Sequence, residues 1–153
     1  MAKPAPNYRS ANTSGMRRRK AALLPLPRTD ADRLALPVHT ALDALRRGQG
    51  NANAVATLME VSILTSLLAR SGFEPEIFEQ LESADRSIRT MLERGVNTGS
   101  WFIEEGNFPQ FAKIVTTYDR QLRNVPVSVF SQANQRLVAI RNSVLKRGNP
   151  ESS

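Results

Sequence analysis

The chain has 153 residues, enough for one domain plus a tail, with 23% charged and 41% hydrophobic residues and a formal net charge of +7. It contains no cysteine and a single histidine, His39. That excludes disulfides, thiolate metal sites, cysteine nucleophiles and multi-histidine metal centres.

The charge is unevenly placed. Residues 1–36 carry eight basic residues against Asp30 and Asp32, and so hold six of the seven net positive charges. The remainder is almost neutral, with 13 basic and 12 acidic residues. A basic arm on a neutral body is the pattern of a segment that seeks a polyanion. Within the arm, Arg17-Arg18-Arg19-Lys20 is the densest cluster, with Arg28 beyond it. Residues 1–33 show no apolar period and are rich in Pro, Ser, Asn and Ala, so they are expected to be disordered or extended. The apolar run Ala21–Pro27 is short, holds two prolines and runs into Arg28, a poor secretory core. The prolines also disfavour the amphipathic helix of a transit peptide.

From residue 34 to 153 the spacing predicts a helical bundle domain, and no stretch alternates as a strand does. Pro37 suits the first turn of a helix carrying Val38, Ala41, Leu42 and Leu45. The second helix starts at Asn51 or Asn53 and is apolar around most of its circumference, as a helix surrounded by neighbours must be. Glu60 at its centre argues against a membrane span. Ser71-Gly72 ends it.

Pro75 opens a third helix, with Ile77, Leu81, Ala84, Ile88 and Met91 in a heptad seam that ends at Gly95. A fourth runs from about Phe108 to Asn124, and a fifth starts near Pro126 or Ser128. The fold class expected is therefore all-α, a compact bundle of about five helices with a basic N-terminal tail. Residues 95–107 form one long connection holding Trp101 and Phe102, the length of linker that often carries function.

No catalytic residue is assigned, because His39 has no neighbour at a spacing that makes an acid–base pair. No Gly-rich phosphate loop is present. Glu76, Glu79 and Glu82, with Glu74 and Asp85, form an acidic face rather than a metal site, Glu82 being placed to pair with Arg86. These carboxylates also rule out a helix-turn-helix reading of residues 68–81, since they would meet the phosphate walls of a groove.

Residues 51–105 carry nine acidic against four basic groups, whereas residues 106–153 carry two acidic and seven basic: Lys113, Arg120, Arg123, Arg136, Arg141, Lys146 and Arg147. A second phosphate-binding surface is expected on that basic side. The function expected is that of a non-enzymatic nucleic-acid-associated protein, a small subunit or accessory factor of a nucleoprotein assembly. Its partners would be DNA or RNA and a protein partner or second copy. No cofactor, metal, membrane or small-molecule substrate is expected, and the place of action would be the cytoplasm, with the nucleoid or nucleus. In that reading the acidic face of Glu76, Glu79 and Glu82 would bind a basic neighbour, such as the basic side of another copy; the alternative is an adaptor or inhibitor that binds a partner protein through its heptad faces and the Trp101–Phe102 loop.

Overall fold

The computed structural model describes residues 8–147. Within them the chain is all-α: α1 (Tyr8–Leu23), α2 (Arg28–Arg46), α3 (Ala52–Arg70), α4 (Phe78–Thr98), α5 (Phe108–Asn124) and α6 (Val127–Arg147). Short 3-10 turns at Pro75–Ile77 and Glu105–Asn107 lead into α4 and α5.

The central element is α3. Asn51 caps it, its Oδ1 accepting from the Ala54 amide at 2.8 Å, and this satisfies one of the donors left open at a helix start. Leu58, Leu68, Val55 and Thr65 are fully buried along it. Four helices pack on α3, namely α2, α4, α5 and α6. By length and composition α3 is apolar enough to cross a membrane. Here half of that apolar stretch is buried against neighbouring helices, and Glu60 pairs with Arg141 at 2.7 Å. A fully buried leucine contributes about 1.5–3 kcal/mol, so this one helix accounts for much of the core.

A polar clamp fixes α5 against α3. Gln121 is buried, and its Nε2 donates to the carbonyls of Thr65, at 3.2 Å, and Phe73, at 2.9 Å. One side chain thereby ties α5 to the centre of α3 and to the turn that follows it. The neighbouring turn residue Glu74 has φ +60° and accepts from Arg120 Nε at 2.6 Å.

Three expectations are corrected. Residues 8–23 of the basic arm are helical rather than extended, while residues 1–7 lie outside the described residues. The run Met16–Leu23 consists of strong helix formers, and Pro25 stops it, so local propensity acts where burial does not. Secondly, α2 begins at Arg28, directly after Pro27, and Pro37 lies inside it. The carbonyl that Pro37 leaves without a donor belongs to Arg33, an exposed residue whose carbonyl can turn to solvent. Thirdly, α4 continues through Gly95 to Thr98 and ends at Gly99, whose φ of +74° is the left-handed closing conformation.

Gly95 is required for packing instead. A Cβ there would lie 2.3 Å from the Trp101 ring, so the indole rests directly on the α4 backbone. The remainder of the loop is equally tied: the Ile103 amide donates to the Leu45 carbonyl at 3.1 Å. Arg94 stacks over the Phe102 ring at 3.7 Å and donates to the Phe102 carbonyl at 2.6 Å and to Glu104 at 3.2 Å. The expected pairing of Glu82 with Arg86 is not formed; Arg86 lies 3.5 Å from the Ser83 hydroxyl, and Arg89 bridges to Asp85 at 3.2 Å.

Three outcomes follow from this packing. Gln121→Ala should cost about 2–4 kcal/mol in urea unfolding, through lost hydrogen bonds and a cavity, and Gln121→Met, which keeps the volume, should cost less. Gly95→Ala would normally stabilise a helix by about 1 kcal/mol, yet here it should destabilise by about 1–3 kcal/mol. It should also red-shift the emission of the single tryptophan as Trp101 is displaced. Burial, reinforced by the adjacent Asp119 carboxylate, pushes the Tyr118 phenol from 10.0 up to about 12. The native state then holds a proton that the unfolded chain has lost. Stability from this group is complete below pH 10 and is lost as pH rises toward about 12, by about 1.4 kcal/mol per unit. Tyr118→Phe should flatten that alkaline slope in a pH series of urea melts.

Candidate nucleic-acid interface

Part of the basic set, Arg17 to Lys20 with Arg28 and Arg123, comes together at one end of the bundle through two proline turns. The α1–α2 turn, Leu24-Pro25-Leu26-Pro27, lies against the α5–α6 turn, where the Val127 amide donates to the Leu24 carbonyl at 2.9 Å and Pro25 faces Pro126. Both α1 and α6 leave from this junction, and α1 packs on α6. The basic arm is therefore docked on the body beside its C-terminal helix.

Arg17, Arg18, Arg19 and Lys20 are exposed on α1. Consecutive helical positions turn about 100° each, so four in a row ring the helix rather than line one face. At the foot of α1, Arg28 from the first turn of α2 and Arg123 from the last turn of α5 line a single cleft of about 370 Å³ with Leu26 and Ala31. They are 95 residues apart in the chain, and only the twin turn brings them together. Neither has an ion-pair partner among the described residues.

A second cleft of about 230 Å³ shares Ala31 and Arg123 with the first and extends to Asp32, Ala35, Leu36, His39, Asp119 and Leu122. His39 Nε2 lies 2.7 Å from Asp119 Oδ2 and joins α2 to α5. Neither cleft is lined by a hydroxyl or thiol that this pair would activate. The pair serves as a polar tie between two helices. Its partners lie 80 residues apart, so no spacing in the sequence signals it.

The remaining basic candidates divide into two groups. Arg120 is bonded to Glu74 and lies 3.3 Å from the Thr117 hydroxyl, and Arg141 is bonded to Glu60. Both are partly neutralised within the fold. Lys113, Arg136, Lys146 and Arg147 are exposed and have no ion-pair partner among the described residues. Lys113 shares the outward stripe of α5 with Arg120 and Arg123. Lys146 and Arg147 lie at the far end of α6, about 30 Å from the twin turn by helix rise.

The candidate partner-binding residues are also separated. Trp101 and Phe102 are half-buried, with one ring on Gly95 and the other under Arg94. Glu76, Glu79 and Glu82 are exposed on the 3-10 turn and the first half of α4. Among the described residues no three acidic or histidine side chains converge as a metal site. Compared with family models, curated proteins and solved structures, the chain matches none.

Proposed function

We propose that this chain is a non-enzymatic, nucleic-acid-associated protein, a small subunit or accessory factor of a nucleoprotein assembly in the cytoplasm, nucleoid or nucleus. The observation that carries this reading is the docking of the cationic helix α1 beside the Arg28–Arg123 cleft. A helix ringed by cations meets phosphates on either side when it lies along a nucleic-acid groove. The paired arginines at its foot suit a further phosphate, because guanidinium groups bind phosphate oxygens bidentately. Lys113 and Arg136 extend the same charge over α5 and α6, whereas Arg120 and Arg141 contribute less because each already faces a carboxylate. No base-reading constellation accompanies these groups, so the contact proposed is to the backbone and sequence-tolerant.

The adaptor reading draws less support from the Trp101–Phe102 loop, whose rings are engaged in internal packing.

Six cations at the junction, Arg17 to Lys20 with Arg28 and Arg123, set the expected salt response. Affinity for a labelled oligonucleotide should fall about 10³-fold between about 50 and 200 mM salt, measured by fluorescence anisotropy. Replacing Arg17, Arg18, Arg19 and Lys20 by Gln should lower the slope of log K against log salt by about 3–4. Absence of binding to both single- and double-stranded probes at about 50 mM salt, or an unchanged slope in the substituted chain, would overturn the proposal.

A further inference from the structure

A wider cleft lies on another side of the bundle. It is a groove of about 810 Å³ between α3 and α4, closed along one edge by Ile140 of α6. Met59, Ile63 and Leu67 line it from α3, and Phe78 and Leu81 line it from α4. These residues recur at three- and four-residue spacing on two facing helices, so the groove has the form of a slot for one more helix. Ser62, on its floor, turns its hydroxyl back to the Leu58 carbonyl at 2.8 Å and so presents little polarity to an occupant.

A helix of matching character protrudes from the same chain. The inward seam of α6 is Ala133, Leu137, Ile140 and Val144, but only its first half is covered. Ala133 and Leu137 are 5% exposed, while Val144 and Leu145 are 62% and 65% exposed. From Val138 to Arg147 no residue of α6 is buried. The two charge patterns are complementary. All of α6 contains no acidic residue and four basic ones, Arg136, Arg141, Lys146 and Arg147. The groove is lined by Arg70 and Arg86 as well as by Glu82 and Asp85, and Asp85 is bridged to Arg89, so the carboxylates left for a basic occupant are Glu82 at the groove and Glu79 one turn before it on α4.

We infer that the groove receives the C-terminal half of α6 from a second copy of this chain. Ile140 belongs both to the groove edge and to the protruding seam, so each copy offers the slot and the helix at one place. The exchange is therefore reciprocal, with a two-fold axis passing near Ile140 and Val144 and the two α6 helices lying antiparallel across it. Such an isologous contact closes as a dimer and does not extend into a filament. It covers the apolar surface of Val144, Leu145 and the groove, and it brings Lys146 and Arg147 toward Glu79 and Glu82 of α4. The inference is independent of nucleic-acid binding.

Sedimentation velocity of the full chain from about 1 to 100 µM should show a monomer–dimer equilibrium. Val144→Asp, at an exposed position, should leave the thermal melt unchanged and weaken dimerisation at least about 100-fold. Because the chain has no cysteine, Val144→Cys should yield a disulfide-linked dimer under mild oxidation. Val96→Cys, equally exposed but on the last turns of α4, should not. A chain that stays monomeric at about 100 µM, or a dimer indifferent to Val144→Asp, would overturn the inference. Equal crosslinking at Val96 and Val144 would do the same.

Discussion

The burial of α3 is the constraint on which the rest of this structure depends. A 19-residue helix that is apolar on nearly every side draws the other helices around it, and only the strip with Met59 and Ile63 beside α4 is left partly open. That requirement sets α2, α4, α5 and α6 as its neighbours. It also explains why the polar contacts near it are so specific. Gln121 is the one side chain that bonds across to α3 and the following turn from within the core. The single carboxylate of α3, Glu60, lies where Arg141 reaches it.

Covering α3 leaves two surfaces of opposite character. At the junction of the twin proline turns, positive charge accumulates from two distant parts of the chain, α1 with the start of α2 and the end of α5. On the other side, the cover is incomplete and a groove remains between α3 and α4. The first surface is suited to a polyanion because its cations lack internal partners among the described residues. The second suits an amphipathic helix, because its apolar residues are bordered by Glu82 and Asp85 and by Arg70 and Arg86.

The internal ion pairs refine the electrostatic picture. Counting charges along the sequence treats Arg120 and Arg141 as equal to Arg123 and Arg136. In the fold, the first two are each held at 2.6–2.7 Å by a glutamate, and a phosphate would have to compete for them. Similarly, the Trp101–Phe102 loop has the composition of a recognition loop. Its function in the fold is to close the end of α4 through Gly95, Arg94 and the Leu45 carbonyl. Aromatic residues in a long connection carry the same signature whether they bind a partner or seal a core.

Much of the fold was legible in local patterns. The all-α class, the central position of α3, the Asn51 cap, Gly72 at its end, and the extent of α5 follow from periodicity and end signals, which act over a few residues. The concentration of cations before residue 36 was equally plain. What the sequence could not disclose was every pairing between remote residues: Arg28 with Arg123, His39 with Asp119, and the groove beside the uncovered half of α6. These depend on which helix faces which and at what height. That is settled by packing the apolar faces around α3, and it leaves no mark in local spacing. The helix α1 falls between the two cases. Its propensity was written in Met16–Leu23, but its place on α6 was decided only by the contact of two proline turns 100 residues apart.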